Sequence, residues 1–166
     1  MLSDSAAATI VELERSHGQA LFGFICRAGI DRSRAADIVQ ESLLRLYRQL
    51  SYGAQIEDAL AWTFRTGYRL AIDEHRRDAR GRRYFASRIA PQLIEDAADE
   101  IVRRQVWEVV DRLPDRQRAV VYLRYRADLS FDSIGTVLGI TASAARSHVT
   151  QALGSMRRTV EREGVV

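Results

Sequence analysis

The stretch 130-SFDSIGTVLGITASAARSHVTQALGSMRRTV-160 decides how this chain folds. It reads as two helices broken at Gly139. Ser130 stands where a helix N-cap belongs, and Ile134, Val137 and Leu138 form a short buried stripe. Gly135 is small where two helices must cross closely. Gly139 is expected in a left-handed turn, which glycine enters without steric cost. Along the second helix Ile140, Ala145, Val149 and Leu153 are expected to face the core. That leaves Ser143, Arg146, Ser147, Thr150 and Gln151 outward, a polar set able to reach base edges and phosphates in a major groove. The spacing is that of a helix-turn-helix, although an αα-hairpin that binds nothing has the same spacing. Arg146 is the only Arg on this helix before Arg157 and Arg158, so much of any DNA affinity must come from elsewhere in an assembly.

Upstream, apolar residues recur at three and four almost throughout, and only two prolines interrupt them. The fold class expected is all-α, with two small helical domains joined by a flexible linker. The first domain, residues 1–80, holds helices at about 5–28, from the turn 29-GIDRS-33 to about Leu50, and at about 58–80, with a loop at 51–58. Residues 81–99 read as the linker, Arg-rich and then Ala- and acid-rich around Pro91, with room for a short helix at 86–94. The second domain, residues 100–166, opens with a helix burying Ile101, Val102, Val106, Val109, Val110 and Leu113, which Pro114 stops. A further helix at about 115–127 precedes the helix-turn-helix.

Two surfaces in the first domain stand out. In 37-DIVQESLLRLY-47, the stripe Val39, Leu43, Leu46 and Leu50 suffices to bury one side of the helix. Leu44 is left over on the opposite side, among Asp37, Gln40 and Glu41. In 60-LAWTFRTGYRLAIDEHRRDARGRR-83, Arg65, Arg69, Arg76 and Arg77 accompany Trp62, Phe64 and Tyr68. Aromatic rings interleaved with Arg suit single-stranded nucleic acid, where rings stack on bases and guanidinium groups hold the backbone. A core Trp beside a solvated Arg face has the same composition.

The 166 residues carry a net charge of only +3, yet all 25 basic residues are Arg. Five of them fall in 76-RRDARGRR-83, a basic block suited to a polyanion. Cys26 is the only cysteine, which excludes an internal disulfide and favours a reducing, cytoplasmic setting. No run is long and apolar enough to span a bilayer, and no signal peptide is expected at the N-terminus. The histidines are far apart, and adjacent residues such as 73-DEH-75 diverge around a helix, so neither metal nor cofactor is expected. No nucleophile constellation, phosphate loop or paired-carboxylate motif suggests an enzyme.

Taken in order, these motifs resemble a bacterial extracytoplasmic-function (ECF) sigma factor of the sigma-70 family, a two-domain promoter-recognition subunit of RNA polymerase. ADIVQESLLRLY is similar to the family's region 2.2, LAWTFRTGYRLAIDEHRR to regions 2.3 and 2.4, and LPDRQRAVVYLRYRADLSFDSIGTVLGI to region 4. The resemblance implies that Asp37, Gln40, Glu41 and Leu44 dock on the beta-prime clamp helices of core RNA polymerase. It implies that the 51–58 loop with Trp62, Arg65, Arg69, Arg76 and Arg77 opens and holds the −10 element. It further implies that Ser143, Arg146, Ser147, Thr150 and Gln151 read the −35 element, with the beta flap and an anti-sigma protein as further partners. The chain departs from the family pattern at Arg69, where Asn is usual, at Ser143-Ala144-Ala145-Arg146, and at His148, where a basic residue is usual. These bear on promoter specificity rather than fold. A stand-alone helix-turn-helix transcriptional regulator is the alternative, and it would need a dimerisation or effector module.

Overall fold

The computed structural model describes residues 2–81 and 97–164, and every described element is helical. Leu13, Leu21, Phe24 and Ile25 are buried along one side of α1 (Leu2–Arg27). The chain turns at Gly29, and Asp31 caps α2 (Arg32–Ser51) by accepting the Arg34 backbone N–H at 3.0 Å. Ile38, Val39, Leu43 and Leu46 then lie buried on the inner side of α2. The third helix, α3 (Ala59–Gly81), packs on both. It comes close because Gly67 has no side chain: a Cβ there would sit 3.2 to 3.3 Å from Ile25, Leu21 and Ser42. Among the described residues Ser42 and Thr63 are the buried polar side chains, and each hydroxyl donates to the carbonyl four residues earlier, so neither is left unsatisfied.

The second unit contains α4 (Ala97–Asp111), α5 (Asp115–Tyr125), α6 (Phe131–Leu138) and α7 (Ala142–Glu163). Pro114 stands at the N-cap of α5 and separates it sharply from α4. The helix-turn-helix forms as its residues require. The Ser130 hydroxyl accepts the Ser133 N–H at 3.1 Å, and Gly139 closes α6 with φ 67°. A Cβ on Gly135 would lie 2.6 Å from the Ile140 carbonyl oxygen, so only glycine lets the turn fold back this tightly. Thr141 caps α7, accepting the Ala144 N–H at 3.0 Å.

Two expected core residues face water instead. Leu153 is 41% exposed, and Ala152 is fully buried in its place. Counted from Ala145, position 152 is seven residues on and within about 20° of it around the helix, whereas 153 has rotated about 80° away. Val106 is 46% exposed; Val109 and Val110, with Leu113 just beyond the helix end, supply the side of α4 that packs on α5 and α7, and Val106 lies off it. The side chains of Ile101 and Val102, the short helix expected at 86–94 and most of the expected linker lie outside the described residues.

The two units meet. One continuous apolar cluster runs from Leu13, Phe24 and Phe64 to Leu123, Ile134 and Val149, while Val110, Leu113, Val121 and Ala152 form a smaller one. Tyr122 of α5 reaches across to α1. Its hydroxyl donates to the Ala20 carbonyl at 3.0 Å and its ring stacks on Phe24 at 5.9 Å. Burial pushes this phenol's pKa up, which keeps it a proton donor. At the end of α1, Arg27 pairs with Asp111 at 3.1 Å and lies over the rings of Trp107 and Tyr122 at 5.2 and 5.0 Å. α3 also packs along α6.

Candidate nucleic-acid interface

Ser143, Arg146, Ser147, Thr150 and Gln151 are all exposed on α7, brought to one side by helical spacing. The Arg146 guanidinium lies over the Phe131 ring at 5.5 Å, and Arg124 lies over the same ring at 5.3 Å. An aromatic face attracts cations. Phe131 thus gathers two guanidinium groups beside the start of α7. The Thr150 hydroxyl donates to the Arg146 carbonyl at 3.1 Å.

On α3 the candidates divide. Arg69, Arg76 and Arg77 are exposed; the latter two stand 3.9 Å from Asp73 and Glu74, loose pairs at the surface. Such pairs contribute little and leave the guanidinium groups available to phosphate. Arg65 and Trp62 are half-buried, and Trp62 packs against the core. The 73-DEH-75 side chains diverge. Asp73 is near Arg76, Glu74 accepts from Arg34 of α2 at 3.0 Å, and the His75 ring meets the Ala28 carbonyl. The Arg34 hydrogen bond holds the Glu74 carboxyl below its usual range.

The outer face of α2 presents Asp37, Gln40, Glu41 and Leu44 together, with Leu44 42% exposed. Arg45 contacts Glu41 at 2.7 Å; a weaker contact joins Gln40 to Glu14 of α1 at 3.4 Å. The hydrogen bond from Arg45 keeps the Glu41 carboxyl below its ordinary range, so this face carries a charged rim around one apolar side chain.

Sequence reasoning passed over Tyr52, which is 89% exposed at the C-cap of α2, beside Gly53 at φ 83°. An aromatic residue next to Gly inside the 51–58 loop was the available signal. It also passed over Arg124, which lies over the Phe131 ring, and over Arg27, Asp111 and Tyr122, whose partners are remote in sequence.

Comparison with known proteins agrees with this geometry. Residues 13–81 match Sigma-70 region 2, and residues 109–158 match Sigma-70, region 4. The chain is 29% identical over 168 residues to the ECF RNA polymerase sigma factor SigL of Mycobacterium tuberculosis, covering 96% of this chain and 93% of that protein. It is 29% identical over 151 residues to the ECF RNA polymerase sigma factor SigK of Mycobacterium ulcerans, covering 85% and 80%. Among solved structures, CnrH in complex with the cytosolic domain of CnrY shares the fold, with a TM-score of 0.62 and 21% identity over 97% of this chain and 96% of CnrH. With the two Sigma-70 regions in order and a helix-turn-helix at the end of region 4, the chain belongs to the sigma-70 family as an ECF sigma factor, the kind of subunit that directs RNA polymerase to promoters.

Proposed function

We propose a division of labour among three faces. The face of α2 with Asp37, Gln40, Glu41 and Leu44 docks on the beta-prime clamp helices of core polymerase. The 51–58 loop, with Trp62, Arg65, Arg69, Arg76 and Arg77, takes the melted −10 strand. Ser143, Arg146, Ser147, Thr150 and Gln151 read the −35 element. Residues 1–80 and 100–166 act as the two promoter-reading units, with residues 81–99 as the tether between them. The observation that carries this reading is Leu44, exposed at the centre of a polar face whose helix already buries a full stripe on its other side.

Further partners follow from the same reading. The second unit engages the beta flap, and an anti-sigma protein covers the polymerase-binding faces. The solved complex of CnrH with the cytosolic domain of CnrY supports a protein partner for this fold. The protein works where the polymerase works, in the cytoplasm, as an initiation factor rather than an enzyme. No described helix is long and apolar enough to cross a membrane.

The −10 assignment is tested at Arg69. Extruding a base costs a few kcal/mol, which stacking and backbone contacts must offset. Arg69→Ala is expected to reduce open-complex formation on a duplex promoter far more than on a promoter with a pre-melted −10 bubble, and to change closed-complex binding only slightly. Permanganate footprinting on both templates reads this. Equal defects on both would make Arg69 a duplex phosphate contact.

Arg146 tests the −35 assignment. A bidentate contact to guanine is worth roughly 1 to 3 kcal/mol. Arg146→Ala is therefore expected to lower promoter use about 5- to 150-fold and to relax preference at one base pair, measured by transcription from a set of −35 variants. Uniform loss across the set would point to a phosphate contact.

A further inference from the structure

Of the side chains assigned to the −35 element, only Arg146 is charged. Its guanidinium lies over the Phe131 ring at 5.5 Å, and among the described residues it makes no hydrogen bond or ion pair. A long side chain on a helix surface ordinarily samples several rotamers, and fixing it on a ligand costs entropy. A carboxylate or carbonyl partner could fix it beforehand, but only by occupying N–H groups that have to reach the base. A ring face does not occupy them. The attraction is between the cation and the π quadrupole, so the guanidinium donors stay free.

Arg124 lies over the same ring at 5.3 Å and shows the other arrangement. It donates to the Leu129 carbonyl at 3.1 Å and stands 3.7 Å from the Asp128 carboxylate, so part of its fork is occupied within the fold. Local structure sets the ring in place. Phe131 is the first residue of α6, directly after the Ser130 cap, and it is half-buried and packed against the core cluster. The close turn at Gly135 and Gly139 folds α7 back on α6, which brings Arg146 to the ring.

We propose that Phe131 is a positioning residue for promoter reading. Before DNA arrives, its ring holds the Arg146 guanidinium in the orientation from which the N–H fork meets a guanine edge of the −35 element. This role rests on the −35 reading of Arg146 given above. Phe131 contributes through Arg146 alone and touches no base. Its weight is that of an exposed cation–π contact, about two- to fivefold, smaller than the loss expected for Arg146→Ala. The effect falls on specificity. Discrimination of guanine needs both N–H groups of a fork aligned at once, whereas a loose Arg still attracts phosphate.

The test uses holoenzyme reconstituted from core polymerase and the full chain. Transcription is measured on promoters that vary the −35 element one base pair at a time. Phe131→Leu removes the quadrupole. Phe131→pentafluorophenylalanine, introduced by nonsense suppression, keeps the outline of the ring but reverses its quadrupole. Each is expected to lower the preference at the base pair that Arg146 reads by about two- to fivefold, and to leave the other base pairs unchanged. Phe131→Tyr, which keeps an electron-rich face, is expected to retain the preference. In an Arg146→Ala background neither Phe131→Leu nor the fluorinated ring is expected to lower it further, because no guanidinium remains to be positioned. If Phe131→Leu lowers the melting temperature, the fluorinated variant of the same shape decides. A loss of equal size in the Arg146→Ala background would overturn the role, since the ring would then act through Arg124, the DNA or the fold. Full preference with the fluorinated ring would overturn it too, while a loss in Arg146→Ala alone would leave the −35 reading standing. If Arg146→Ala itself changes no preference, the reading and the positioning role both fall.

Discussion

Leu44→Arg is expected to weaken binding to core RNA polymerase by about 2 to 4 kcal/mol, roughly 30- to 700-fold, with little change in thermal stability. Leu44 is 42% exposed, while its neighbours Leu43 and Leu46 are buried and hold the helix in place. An Arg here removes the apolar centre of the face. It also adds a third cation beside Arg45 and Arg48, both already exposed on the same helix. At an interface that charge has to be desolvated without a designed partner, which is costly. Leu44→Ala, which removes area without adding charge, is expected to cost less. Fluorescence anisotropy with labelled protein and core polymerase measures the loss, and a melting curve shows whether the fold survives. A variant that unfolds, or one that binds polymerase normally, would take the docking face away from Leu44.

Gly135→Val is expected to destabilise the protein by about 3 kcal/mol, as overpacking against fixed atoms does. The neighbour of the added Cβ is the Ile140 carbonyl oxygen at 2.6 Å, with the Ala142 nitrogen and the Thr141 carbonyl carbon at 3.5 Å. These are backbone atoms of the turn and cannot swing aside as the end of a side chain can. For a chain of this length the melting temperature is expected to fall by roughly 6 to 12 °C. Gly139→Ala makes the contrast. Nothing lies within 4 Å of a Cβ at Gly139, so the cost there is only that of a left-handed conformation, about 1 kcal/mol. Thermal unfolding of the two variants separates a steric requirement from a conformational one. Equal shifts would mean that the close approach at Gly135 is relieved by movement of the turn.

The features legible in the sequence are those closed within a few residues. Asp31 and Ser130 cap their helices, Gly139 adopts the left-handed turn, and Gly135 gives way to the chain crossing it. A helix satisfies its hydrogen bonds locally, and its period sets which side is buried. Leu44 was found outward for the same reason. Periodicity failed where helical phase had to be carried over two turns, so that Ala152 rather than Leu153 took the core position. It also failed at Val106, where burial depends on which side of α4 has a neighbouring helix. The contact between the two units was beyond it altogether. Arg27 and Asp111 are 84 positions apart, and Tyr122 and Ala20 are 102 apart. Residues in 76-RRDARGRR-83 announced a partner by charge alone, but Arg27 at the end of α1 resembles any basic residue in a last helical turn. Only the packing of the second unit's helices onto α1 and α3 decides that Arg27 is enclosed by Trp107 and Asp111 of α4 and Tyr122 of α5, and that Trp62 and Arg65 are partly covered while Arg69 faces water.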